Sequence, residues 1–226
     1  MTSEEFDALD WQGQAVRCET CVHQELRAAG GCALRKTCVF DRYALRIDRF
    51  FLWNPALAKD YLTHPYFEVR AVAARYVEVF RLVRLLEDPD ETVRWNAIQR
   101  LPQRYLALLR QDPDREVRIR VAMGIDSGEL KSMMNDPDYY VRTVVARRID
   151  LNVLYRMAQD PEPAVRLVVA QRLPPGQLPL LRKDPDWQVR YRVTQRIDRT
   201  QLASLLADED DAVREAARAR QQDRVA

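Results

Sequence analysis

The sequence predicts an all-α solenoid, and three observations carry the prediction: a strict 24-residue repeat, apolar columns at helical spacing, and turn residues at fixed places in each unit. Asp-Pro recurs at 88–89, 112–113, 136–137, 160–161 and 184–185, with His64-Pro65 one period earlier and Asp208-Glu209 one period later. A Val-Arg pair follows at 69–70, 93–94, 117–118, 141–142, 165–166, 189–190 and 213–214, which counts seven units. Leu45-Arg46 stands one period before Val69-Arg70, where a degenerate eighth unit would begin.

The stretch DPDETVRWNAIQRL, residues 88–101, shows how one unit is built. Asp88 suits an N-cap, Pro89 a first helical position, and Asp90 and Glu91 the positive end of the helix dipole. Val93, Ala97, Ile98 and Leu101 fall on one face of a 3.6-residue period, so that face is core. Pro102, Asp126, Asp150, Pro174 and Asp198 share the next column, where the helix ends or its successor is capped. A second, shorter element follows, with Leu130 and Met133, Leu154 and Met157, or Leu202 and Leu205 three apart, a spacing compatible with a 3₁₀ helix. A 24-residue unit is too short for the paired helices of ankyrin, tetratricopeptide or HEAT repeats, and it lacks the alternating leucines of a leucine-rich strand. Each unit buries its apolar face only against its neighbours, hence an array. The expected division is an N-terminal module at 1–45 followed by repeats over 46–226.

All four cysteines, Cys18, Cys21, Cys32 and Cys38, lie in that module. The start of the chain has no apolar leader and no run of eighteen apolar residues occurs, so the expectation is a cytoplasmic chain with no membrane span. In a reducing compartment clustered cysteines point to a metal site over disulfides. The spacing C-x₂-C-x₁₀-C-x₅-C leaves zinc and an iron–sulfur cluster both open. His23 is either a substitute zinc ligand or a solvated loop residue.

The unit Asp-Pro-Asp-x-x-Val-Arg with its downstream Leu and Leu/Met, joined to the four N-terminal cysteines, resembles the leucine-rich repeat variant family that carries an iron–sulfur cluster. The resemblance covers nearly the whole chain. It implies a right-handed superhelix of alternating α and 3₁₀ helices, capped by a small domain with a [4Fe–4S] cluster on Cys18, Cys21, Cys32 and Cys38. The pattern is broken by Tyr66 in the acidic column, Glu209 in the Pro column and Gln221 in an apolar one. With a cluster in place, Gly30-Gly31 would bring backbone N–H groups close to it, and Arg17, Arg35 and Lys36 would offset its charge.

Lys and Arg exceed Asp and Glu by only 36 to 34, so the net field is no lure for nucleic acid. In the column Arg70 to Arg214 an acidic residue stands four positions before each Arg except Arg70, where Tyr66 intervenes, an order that predicts pairing within each helix. Arg100, Arg148, Arg172, Arg196 and Arg220 lack such an acid and form the better candidate for a phosphate-binding face. Trp53, Trp95 and Trp187 fall in different columns and make no stacking ladder. No phosphate loop, G-x-S-x-G or H-E-x-x-H motif occurs, and His64 reads as a capping or turn residue. The reading is a non-enzymatic protein-interaction scaffold with redox sensing through its cluster. An electron carrier and an Arg-lined nucleic-acid binder are the alternatives.

Overall fold

In the computed structural model, which describes residues 7–222, a repeat is an α-helix followed by a 3₁₀ segment. The α-helices are α1 (Gln24–Ala28), α2 (Ala44–Trp53), α3 (Phe67–Ala73), α4 (Glu91–Ile98), α5 (Arg115–Gly124), α6 (Tyr139–Arg148), α7 (Leu151–Leu154), α8 (Pro163–Arg172), α9 (Trp187–Arg196) and α10 (Asp211–Gln222). The 3₁₀ segments are Pro55–Tyr61, Val79–Glu87, Gln103–Leu109, Glu129–Met133, Tyr155–Met157, Pro175–Leu181 and Arg199–Ser204. In one unit the second element is part α, because α7 runs directly into Tyr155–Met157. Among the described residues, extended pairing is limited to the isolated bridges Leu9–Ala15 and Ala33–Thr37.

The chain divides into two compact units at Val117/Arg118. In the first, Ile47, Phe51, Val69, Leu82, Val93 and Ala97 are fully buried; in the second, Leu130, Val145, Ile149, Leu154, Leu173, Leu178 and Ile197 are. These are the periodic apolar columns of the sequence. The degenerate unit at Leu45-Arg46 also has a helix and a 3₁₀ segment, and α2 runs across 45/46, so the expected module boundary falls inside a helix.

Helix starts differ from the expectation by two residues. The N-cap of α4 is Asp90, whose carboxylate accepts from Thr92 N–H, and Asp138 and Asp186 each accept from two amides at the starts of α6 and α9. Asp88 is not available for capping. Its Oδ1 accepts the amide of Asp90 at 3.0 Å, and its two oxygens bind the Nε and Nη2 of Arg70, each at 2.8 Å.

That contact also replaces the expected pairing within helices. Arg70, Arg94, Arg118, Arg142, Arg166 and Arg190 each reach 18 residues forward, to Asp88, Asp112, Asp136, Asp160, Asp184 and Asp208. Arg70 therefore has a partner after all. The aspartates four residues earlier are occupied as caps, Glu162 alone making no cap bond, and the guanidinium instead joins consecutive turns. Its Nη1 donates backwards as well: Arg94 binds the carbonyls of Asp88 and Pro89 at 2.8 and 3.2 Å. A bidentate, fully hydrogen-bonded pair is the geometry that makes a buried charge tolerable.

The second Arg column is likewise engaged by backbone. Arg100, Arg148, Arg172, Arg196 and Arg220 donate to the carbonyls of Ala74, Ala122, Ala146, Ala170 and Thr194, 26 residues earlier, at 2.6–2.8 Å. Those carbonyls lie near the C-terminal ends of preceding helices, where unsatisfied acceptors and the negative end of the dipole favour a cation.

Candidate metal centre

The thiol segment is built from three tight turns. α1 ends in a Schellman arrangement: Gly30, at φ +77°, donates to Arg27 O, and Gly31 donates to Leu26 O at 2.8 Å. A Cβ on Gly31 would stand 2.5 Å from Leu26 Cδ1, so a larger residue here would have to displace the Leu26 side chain. The glycine pair thus closes a helix and is not assigned to a cluster's sulfurs. Lys36 N–H then donates to Ala33 O at 3.2 Å, with Arg35 at φ 63°, the left-handed third residue of the turn. The third turn is at Asp41, which accepts Tyr43 N–H at 3.0 Å and, through Oδ2, Arg46 Nη1 at 2.7 Å. Both side chains of that ion pair are 0% exposed.

Cys18, Cys21, Cys32 and Cys38 are all free thiols, each half-buried. Burial raises Cys38 to about 12, with the charges of Asp41, Cys21 and Cys18 adding to the effect against an opposing hydrogen bond from the Phe40 backbone. Burial first, and then the charges on Cys21 and Cys18, also push Cys32 up, while Arg27 opposes them. The thiols therefore feel one another. Two backbone amides already face the sulfurs: His23 N–H donates to Cys21 Sγ at 3.4 Å, and the Phe40 amide to Cys38. Such contacts orient and stabilise thiolate ligands. Among the described residues no three His, Cys, Asp or Glu side chains stand close enough together to hold one metal ion. A four-iron cluster spreads its thiolates more widely than a single ion does, because each iron takes its own thiolate. The donor set fits an iron–sulfur group on these grounds.

Besides the Asp41–Arg46 pair, hydrogen bonds close to the cysteines fasten the segment to the first repeat. Cys38 N–H donates to Arg46 O in α2 at 3.1 Å, Asn54 Nδ2 donates to Gly31 O at 2.8 Å, and His23 Nε2 is hydrogen-bonded to Tyr61 Oη. His23 is thus not a solvated loop residue. Its ring lies 5.2 Å from Phe50 and 6.0 Å from Phe40, and burial lowers its basicity. His64 fills its expected turn role, with Nδ1 accepting Tyr66 N–H at 3.1 Å. Of the cations singled out in the sequence, Arg35 pairs with Asp7 at the surface and Arg17 lines a cleft; the cation that acts on Cys32 is Arg27, which was not among them.

The cleft holds about 480 Å³ and is lined by Trp11, Arg17, Thr20, Cys21, Val22 and Phe40, among others. Its Trp11 wall stacks on Tyr66 at 6.2 Å. One cysteine of the set thus borders open space.

Comparison with known proteins agrees with this architecture. Residues 8–60, which contain all four cysteines, match the family model described as LRV protein FeS4 cluster. A solved structure, that of a leucine-rich repeat variant with a novel repetitive protein structural motif, is 37% identical, with a TM-score of 0.61 over 91% of this chain and 98% of that one. The chain belongs to the leucine-rich repeat variant family. A further relative of this LRV protein is the uncharacterized 27.7 kDa protein in the nifB 3′ region of Rhodobacter capsulatus, 55% identical over 96 residues. That match spans 42% of this chain and 39% of the relative. The LRV protein is an iron–sulfur repeat protein with an all-α repeat fold, and among its described residues no helix is long and apolar enough to cross a membrane.

Proposed function

We propose that this LRV protein is a non-enzymatic, cytoplasmic interaction scaffold for a protein partner, with redox sensing through a [4Fe–4S] cluster on Cys18, Cys21, Cys32 and Cys38. One observation carries the reading: the thiol segment shares hydrogen bonds with the first repeat at Arg46, Asn54 and Tyr61, so a change at the sulfurs has a direct mechanical route into the repeats. A bound cluster supplies a one-electron redox change. The chain's own part is to hold the four thiolates, to screen their charge with amides and Arg27, and to transmit their position to α2. Zinc fits less well, since it needs its four ligands gathered round a single ion.

The test begins with anaerobic purification and assay of iron, sulfide and zinc per chain. Hydrogen exchange follows, on oxidised, reduced and metal-free protein. A redox-sensing scaffold changes protection in α2 and α3 between states, whereas identical exchange in all three rejects sensing.

A second reading, an electron carrier, is favoured by the open cleft at Cys21, which gives a partner's redox group close access. Reversible reduction with no change in exchange would select it. Nucleic-acid binding is the weakest reading, because both Arg columns spend donors on carboxylates and carbonyls of the fold. Steep salt dependence of binding to DNA or RNA would revive it.

A further inference from the structure

Position 61 is anomalous within the repeats themselves. One period on, the same place is held by Leu85, and then by Leu109, Met133, Met157, Leu181 and Leu205, all buried and apolar. Only the first unit puts a hydroxyl there, on Tyr61, which is 9% exposed. A buried phenol in an otherwise aliphatic column is costly unless the oxygen has a partner. The partner is His23, two residues after Cys21, whose own amide donates to the Cys21 sulfur. Around the hydroxyl, the Tyr61 ring meets Phe51 edge-on at 5.6 Å and Phe50 at 6.3 Å, which fixes its direction. The charges of Cys21, Cys38 and Cys32 all reach this phenol, and together with burial, the larger effect, they keep its proton in place. Tyr61 is therefore a neutral hydrogen-bonding group seated on His23.

The geometry points to Tyr61 as a positioning residue of the metal site, contributed by the repeat array: through His23 it holds the Cys18–Cys21 arm in ligating position. The assignment rests on the reading of the thiols as a metal site. It explains why the 3₁₀ segment Pro55–Tyr61 departs from the repeat pattern at its last residue, which lies just past the family match ending at residue 60.

The test uses the full chain, purified without oxygen, as wild type, Tyr61→Phe, Tyr61→Leu, His23→Phe and the Tyr61→Phe/His23→Phe double variant. Metal and sulfide are assayed first, then the rate of metal release to a chelator, the reduction midpoint, and the melting temperature of the metal-free form. Tyr61→Phe removes only the hydroxyl, and Tyr61→Leu restores the residue type of the other units, so both should fold. Tyr61→Phe is expected to release metal about tenfold faster or more, the scale seen when an outer hydrogen bond to a ligand is lost. His23→Phe should do the same, the double variant should be no worse than either, and the metal-free melting temperature should stay at the wild-type value. Release at the wild-type rate in Tyr61→Phe overturns the assignment. So do multiplied effects in the double variant, or lowered melting with unchanged release. Zinc in place of iron leaves the release assay valid and removes only the cluster reading. A wild type with no metal at all sinks both readings, and that result is known before any variant is compared.

Discussion

Arg46 and Arg70 stand one period apart and hold different things. Arg70 reaches 18 residues forward to Asp88, as Arg94, Arg118, Arg142, Arg166 and Arg190 do with their own partners, whereas Arg46 turns back five residues to Asp41 in the thiol segment. The residue 18 beyond Arg46 is His64, which keeps the turn-forming acceptor role of Asp88 but offers no carboxylate. Where the array meets the metal module, the device that joins one turn to the next is redirected to join module to repeat. Three departures from the repeat pattern at the start of the array, Tyr61, His64 and Tyr66, all face that junction: Tyr61 bonds His23, His64 packs 6.2 Å from Phe40, and Tyr66 stacks on Trp11.

The sharpest way to break this comparison is to remove one acid of each kind. Asp41→Ala and Asp160→Ala each strand a buried guanidinium and should each cost about 3–5 kcal/mol in denaturant unfolding. Only Asp41→Ala should also lower iron per chain, since Arg46 carries the carbonyl that accepts Cys38 N–H; equal iron loss in both variants would erase the distinction. Next in size is Arg172→Met, which keeps the packed stem but removes donors to Ala146 O and Ile149 O. A loss of about 1.5–3 kcal/mol is expected, with metal content unchanged. Were Arg172 a solvated binding residue, stability would not move.

A gain is expected at Glu162, the N-cap of α8, whose longer side chain makes no cap bond while Asp138 and Asp186 do. Glu162→Asp should stabilise by about 0.5–1 kcal/mol in the same titration. The smallest effect is acid lability of the last rung. Although burial pushes Asp208 up, its hydrogen bonds from Arg190 and the Asp210 amide win and hold its carboxyl below the ordinary range. Its contribution is complete above the unfolded carboxylate value of about 4 and fades as pH falls below that. Asp208→Asn should flatten this part of the stability–pH curve, and an unchanged slope would place the acid sensitivity elsewhere.

Much of the array was legible because a 24-residue period imposes the same local physics in each unit: apolar columns at helical spacing found the core, and Pro102, Asp150 and Pro174 do stand at the starts of second elements. The cap was misread by two residues, because the sequence shows two acids flanking Pro89 and does not say that one of them is claimed by an arginine 18 residues earlier. The same blindness to distant partners sent the Arg–Asp pairing to the wrong acids, left Arg70 without a partner, and made Arg100 and its column look like a free face.

By itself, then, the sequence determined the repeat, its helices and the grouping of four thiols, since periodicity, capping chemistry and cysteine spacing act over a few residues. Only the tertiary structure decided which charge meets which. A guanidinium long enough to span adjacent turns chooses among several carboxylates and carbonyls by packing and by desolvation, and these exist only once the turns are stacked. That is why Arg46 could join the metal module while Arg70, with the same Arg in the same column, joined the next repeat.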